Sequence, residues 1–159
     1  LVHSPTVLLL DEPTNGVDPV SRRDFWKILH EMVKEGVTVF VSTSYMDEAE
    51  RCGRVGMMQE GRLTMYDSPR ALKKTISGTI LEILSGDPVK MLQGLREKYG
   101  RMSSDLISGI IRFRLPENSS AEKVEVEMKT MGLDDFTIKV ARPTLEDVFV
   151  SRAMKADVQ

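Results

Sequence analysis

The chain has 159 residues, 41% apolar and 29% charged, which suits one ordinary globular domain or two small ones, and a net charge of −2 leaves no basic footprint for nucleic acid. The single cysteine, Cys52, rules out an internal disulfide framework and fits a reducing compartment. No apolar run approaches the ~18 residues of a membrane span, and Leu1–Pro5 has neither the basic start nor the apolar stretch of a signal peptide.

The chain starts on Leu1 rather than Met and meets a strand almost at once, which reads as part of a longer polypeptide. Residues 6–10 are a short, buried, β-prone run. Asp11 and Glu12 follow together, Pro13 stops the strand, and the turn Asn15-Gly16-Val17-Asp18 leads into a helix capped by Asp18 with Pro19 first. Phe25, Ile28, Leu29, Met32 and Val33 recur at helical spacing, and Gly36 closes the helix. Residues 37–41 are a second buried strand, so the rhythm predicts a parallel βαβ unit. After Ser42-Thr43-Ser44, residues 45–52 form a short acidic helix whose Asp47, Glu48 and Glu50 read as a solvated face. A hairpin over 54–58 and 62–66 follows, then a short helix from Ser68-Pro69.

The pattern changes after Ile76-Ser77-Gly78. Residues 79–85 read as a strand, and Asp87-Pro88 opens a helix with Leu92, Leu95 and Tyr99 on one side, ended by Gly100. Residues 106–107 and 110–115 form a hairpin around Ser108-Gly109. Ser119 with Glu122 makes a capping box for a helix bearing Ala121, Val124, Met128 and Met131, and Phe136, Ile138 and Val140 alternate as a last strand. This β-α-β-β-α-β order is the split-βαβ pattern of ferredoxin-like domains. Thr144 caps a final helix.

Two acids at the end of a buried strand face a cleft, a metal or a partner more readily than a core, because unpaired buried charge is costly. A nucleotide hydrolase of the P-loop kind needs such an acid for magnesium and a second group to position the attacking water. Taken as a bare pair, a DE after a strand is more often a cap or solvated turn. The wider context decides otherwise. LLLDEPTNGVDP, followed by a strand and STSYMDEAERCGRV, resembles the ATPase subunits of ABC transporters, over roughly residues 1–75. In that family these segments are the Walker B strand, the D-loop and the switch region.

The resemblance implies that Asp11 organises magnesium through water and that catalytic Glu12 polarises the water attacking the γ-phosphate of ATP. Asn15, Gly16 and Asp18 would belong to the D-loop, which couples two ATP sites across a dimer, with Asp18 also serving as a helix cap. Ser44 stands where the family normally has a histidine that contacts the γ-phosphate. Serine is short and carries no charge, so the site is expected to be slow or degenerate. A structural reading competes: with Asp47 three residues on, Ser44 can cap the following helix.

No G-x-x-x-x-G-K-S/T occurs in the 159 residues, so there is no phosphate cradle, and the family's LSGGQ-type signature is missing as well. The expected fold is therefore α/β: part of a P-loop NTPase (RecA-like) sheet over residues 1–77, then a small α+β ferredoxin-like domain with a terminal helix over 78–159. The second domain and the ending Arg142-Pro143-Thr144-Leu145-Glu146-Asp147-Val148-Phe149 resemble those of bacterial drug-exporting ABC ATPases. The resemblance implies ATP and Mg2+ as cofactors, a second ATPase subunit or tandem half and a membrane permease as partners, and a place on the cytoplasmic face of the membrane. The chain alone is expected to be inactive. The alternative is a non-catalytic regulatory module that pairs with an intact ATPase. Strands 6–10 and 37–43 are expected to show unpaired edges and apolar faces. His3 and His30 lack metal spacing, and Cys52 reads as buried or partly buried.

Overall fold

The computed structural model describes residues 5–101, 103–116 and 118–156. Among them the chain is a mixture of eight strands and six helices. It divides into two compact units, Leu1–Cys52 and Gly53–Gln159.

In the first unit β1 (Val7–Asp11) pairs in parallel with β2 (Thr38–Ser42), and α1 (Pro19–Lys34) connects them. A parallel pair needs such a crossover, because a two-residue turn can only reverse the chain. Asp18 caps α1 by accepting the N–H groups of Val20 and Ser21 at 3.0 and 3.1 Å. Trp26 and Leu29 are the buried residues of α1, whereas Ile28 and Val33, expected in its apolar stripe, are 57% and 52% exposed. The other sheet face carries Val7, Leu9 and Phe40 into solvent, at 54%, 72% and 65% exposure, in line with the exposed apolar faces expected of these two strands. The following helix is shorter than expected, α2 (Met46–Ala49).

The second unit opens with the antiparallel hairpin β3 (Val55–Gln59) and β4 (Arg62–Asp67), which is bulged at Met57–Met58. Next comes α3 (Pro69–Lys73), capped by Ser68. The remaining strands are β5 (Thr79–Ser85), β6 (Ser104–Ile107), β7 (Ile110–Leu115) and β8 (Phe136–Ala141), with α4 (Pro88–Tyr99) and α5 (Ala121–Thr130) between them. They form one antiparallel sheet in the order β6-β7-β5-β8. Alternation sends Leu81, Ile83, Ile111 and Phe113 to one face, where they meet Met91 and Leu95 of α4 and Val124 and Met128 of α5. Full burial of each such side chain contributes about 1.5–3 kcal/mol. The cap of α5 is Ser120, one residue after the expected Ser119, and it accepts the Lys123 N–H at 3.3 Å.

The opposite face carries a row of charge across all four strands. Asp105, Arg112, Glu82 and Lys139 are successive register partners. Arg112 meets Glu82 at 2.5 Å and Asp147 of α6 (Leu145–Ala156) at 2.8 Å, while Lys139 meets Glu82 at 2.8 Å. Thr144 and Asp147 close a reciprocal cap on α6, with the Asp147 N–H donating to Thr144 Oγ1 at 3.3 Å and the Thr144 N–H donating to Asp147 Oδ2 at 2.7 Å. Within this unit α6 also packs against α3.

Candidate functional site

Parallel strands deliver their carboxyl ends to the same edge, and ligand sites of α/β sheets lie at that edge. β1 and β2 run in register, so Asp11 and Ser42, their last residues, are direct partners. The Ser42 hydroxyl donates to Asp11 Oδ1. One residue on, the Glu12 N–H donates to the Ser42 carbonyl at 3.0 Å, and Glu12 takes a left-handed backbone with φ 43°. That turn throws the Glu12 side chain toward the second loop, where the Ser44 hydroxyl donates to Glu12 Oε2 at 3.4 Å. Asp11, Glu12, Ser42 and Ser44 therefore converge.

Ser44 does not cap α2. The residue before that helix is Tyr45, whose side chain makes no capping hydrogen bond, and the Tyr45 N–H goes instead to Thr43 Oγ1 at 3.1 Å. The hydroxyl of Ser44, freed from capping, reaches across to the acid. Asn15 and Gly16 lie exposed on the turns that follow β1, which are closed by Asn15 N–H to the Glu12 carbonyl and Val17 N–H to the Thr14 carbonyl, both at 3.1 Å. Asp18 is engaged as the cap of α1, and the hydrogen bonds from Ser21, then that from Val20, hold its carboxyl below the usual carboxylate range. His30 is exposed, and its Nδ1 lies 2.8 Å from the Trp26 carbonyl. Cys52 is partly buried, and burial, then the charge of Glu48, pushes its thiol up.

The largest departure from expectation is Glu48. It is fully buried, not solvated. The Thr14 hydroxyl donates to its Oε1 at 2.5 Å and the Thr43 hydroxyl to its Oε2 at 2.8 Å. Arg22 Nε of α1 lies 3.7 Å from Oε1, close enough for charge but without a hydrogen bond of its own. The Trp26 indole N–H is buried and short of hydrogen-bond geometry with any acceptor, yet it too favours the charged form of Glu48. Burial alone would raise the Glu48 pKa. The hydrogen bonds of Thr14 and Thr43, the nearby Trp26 indole N–H and the charge of Arg22 outweigh it, so the carboxyl is held below the usual range.

For a metal, the site offers one exposed carboxylate at the strand end, Asp11, which already accepts the Ser42 hydroxyl. No group of three His, Cys, Asp or Glu side chains is placed to hold an ion among the described residues. Magnesium commonly takes only one or two carboxylates and completes its shell with water and phosphate oxygens. Asp11 fits that role for an ion that arrives with its own phosphate ligands, not for a resident ion in a protein cage.

With this geometry in place, the relatives are informative. The chain is 37% identical over 153 residues to the probable multidrug ABC transporter ATP-binding protein YbhF of Escherichia coli K12, covering 94% of this chain and 26% of that protein. It is 36% identical over 153 residues to the Nod factor export ATP-binding protein I of Burkholderia pseudomallei, covering 94% and 48%. The chain is homologous to the ATP-binding proteins of ABC transporters. To the daunorubicin resistance ATP-binding protein DrrA2 of Streptomyces coeruleorubidus it is 28% identical over 156 residues, again at 94% and 48% coverage. The homologous chain thus spans about half the length, or less, of these relatives. No family model matches it. No helix among the described residues is long and apolar enough to cross a membrane.

Sequence reasoning missed Ser42, Thr14, Thr43 and Glu48. A usable signal existed for Ser42, because two equal-length apolar runs pairing in parallel must place their next residues side by side. Nothing comparable distinguishes Glu48 from Asp47 and Glu50 on a single helical turn.

Proposed function

We propose that the chain supplies the magnesium and water side of an ATP site in the ATP-binding subunit of an ABC exporter. The supporting observation is the register of β1 and β2, which sets Asp11 beside Ser42 and Glu12 beside Ser44 at one edge. In this reading Asp11 would hold magnesium through water, and the ion would draw negative charge from the phosphates. Glu12 would accept a hydrogen bond from the attacking water and orient it. Ser44 would offer a neutral hydroxyl where a charged donor serves better. Asn15, Gly16 and Asp18 would face a second subunit or tandem half. The names of the relatives extend the proposal to a transport role such as export, and the family resemblance adds a membrane permease as partner and a place on the cytoplasmic face.

We assign residues 1–77 to part of a P-loop nucleotide-binding domain and residues 78–159 to a ferredoxin-like domain, on the βαββαβ element order and the strand order β6-β7-β5-β8. A second reading, a non-catalytic module pairing with an intact ATPase, is favoured by one observation: the neutral Ser44 stands where the family normally carries histidine.

The deciding experiment compares Mg-ATP binding, followed by the fluorescence of the single Trp26, and ATP turnover. One sample is the 159-residue chain, and the other is the chain expressed behind the nucleotide-binding half of the Burkholderia pseudomallei relative. The proposal expects little binding by the first and turnover by the second that E12Q abolishes while binding persists. Turnover unchanged by E12Q would overturn it.

A further inference from the structure

Glu48 stands at a junction that the proposed chemistry does not itself use. Thr14 lies two residues beyond Glu12, and Thr43 lies between Ser42 and Ser44. Each donates its hydroxyl to a different oxygen of the one buried carboxylate, at 2.5 and 2.8 Å. The two loops that carry the candidate site leave different strands, and the side-chain bond that joins Glu12 to Ser44 is long, at 3.4 Å. A bond of that length positions weakly, whereas a hydroxyl donating to a carboxylate at 2.5 to 2.8 Å is short and charge-assisted. The charge of Glu48 is balanced from α1 by Arg22, 3.7 Å away, and the Arg22 guanidinium lies 4.1 Å from the centre of the Tyr45 ring, one residue after Ser44.

We infer that Glu48 is a positioning residue, a two-oxygen clasp whose contacts to Thr14 and Thr43 set the separation of Glu12 from Ser44. The carboxylate touches no reacting atom. It fixes one loop against the other, so that an acid from β1 and a hydroxyl from β2 share one geometry. The clasp stands on these distances alone, and its meaning for turnover rests on the ATP-site reading above.

The test separates the two. In the 159-residue chain, amide hydrogen exchange is followed at Thr14–Asn15 and Thr43–Tyr45 for wild type, E48A, E48Q and the single and double variants T14V and T43V. The clasp requires that E48A speeds exchange in both loops together while amides of β5 and β7 keep their protection. Glutamine keeps the length and can accept from one threonine and donate to the other, so E48Q restores most of the protection. Exchange rising in one loop only would overturn the clasp. If E48A unfolds the first unit outright, the threonine variants decide, since each leaves the Glu48–Arg22 pair in place. A clasp makes the effects of T14V and T43V non-additive, and strict additivity would overturn it.

The same variants are then assayed for ATP turnover in the fusion described above. A misplaced acid lowers kcat by about 10- to 100-fold with KM little changed, and E48Q recovers most of the loss. Coupled loop exchange with no turnover in the wild-type fusion would leave the clasp standing and remove the ATP-site reading. Coupled exchange with wild-type kcat in E48A would show that Glu48 serves stability alone and would overturn the positioning role.

Discussion

Ser44 reaches Glu12, not the helix that follows it: its hydroxyl lies 3.4 Å from Glu12 Oε2. The contact is at the outer limit of hydrogen bonding and weakly restrains either partner. In the family that the chain resembles, this position normally carries histidine. A preorganised donor to a developing phosphate charge is worth about 100-fold or more in rate. S44H is therefore expected to raise kcat at least tenfold in an assembled ATP site, with the gain lost in the E12Q background. Steady-state turnover measures this, and an unchanged kcat would remove serine as the cause of a slow site.

Arg112 and Asp147 carry a buried ion pair between β7 and α6, with side chains only 10% and 7% exposed. Removing one partner strands the other charge, which costs about 3–5 kcal/mol. D147A should lower the urea midpoint sharply, and the apolar pair R112M/D147L should recover most of the loss. Burial alone would raise the Asp147 pKa, but bonds from Arg112 and Thr144 override it and hold it low. A carboxyl depressed on folding stabilises the protein above its ordinary value of about 3.9, and the contribution is lost as pH falls through the lower folded value. The acid limb of the wild-type stability curve should therefore be steeper than that of D147A.

Tyr99 packs on Phe113 with ring centroids 5.0 Å apart, and its hydroxyl donates to Glu127. Burial, then that carboxylate, pushes its pKa up to about 12. The folded state holds the proton more tightly than an unfolded chain, where tyrosine titrates near 10. The resulting stabilisation is fully present below about pH 10 and disappears as pH rises through about 12. An ultraviolet titration should show a tyrosine step at about pH 12, and Y99F should delete it.

Much of the second unit was legible because its signals are local. Strict alternation in residues 110–115, glycines at the ends of helices and in the Ser108-Gly109 turn, and Asp87-Pro88 at a helix start each specify geometry without distant partners. The first unit was legible in its elements but not in its contacts. The parallel pairing followed from the spacing of two apolar runs. The helix face did not: Ile28 and Val33 share the helical period with Leu29, and only packing against β2 selects which side is covered. A four-residue helix offers no period at all, so which of three neighbouring acids points inward depends on where Thr14 and Thr43 arrive. Likewise Ser44 could cap or reach, and the bond from the Tyr45 N–H to Thr43 Oγ1 made the difference.

The left-handed backbone of Glu12 has a cost that the rest of the chain must carry. A residue with a Cβ loses about 1–2 kcal/mol at such a φ, whereas glycine loses nothing on that account. Evolution toward stability alone would place glycine there. E12G is thus expected to unfold at a higher denaturant midpoint than E12A, a ranking that would reverse if the turn were unstrained. The carboxylate stands at a position where the fold would gain by losing the side chain. A screen for stabilising mutations in this protein should therefore select against its acid.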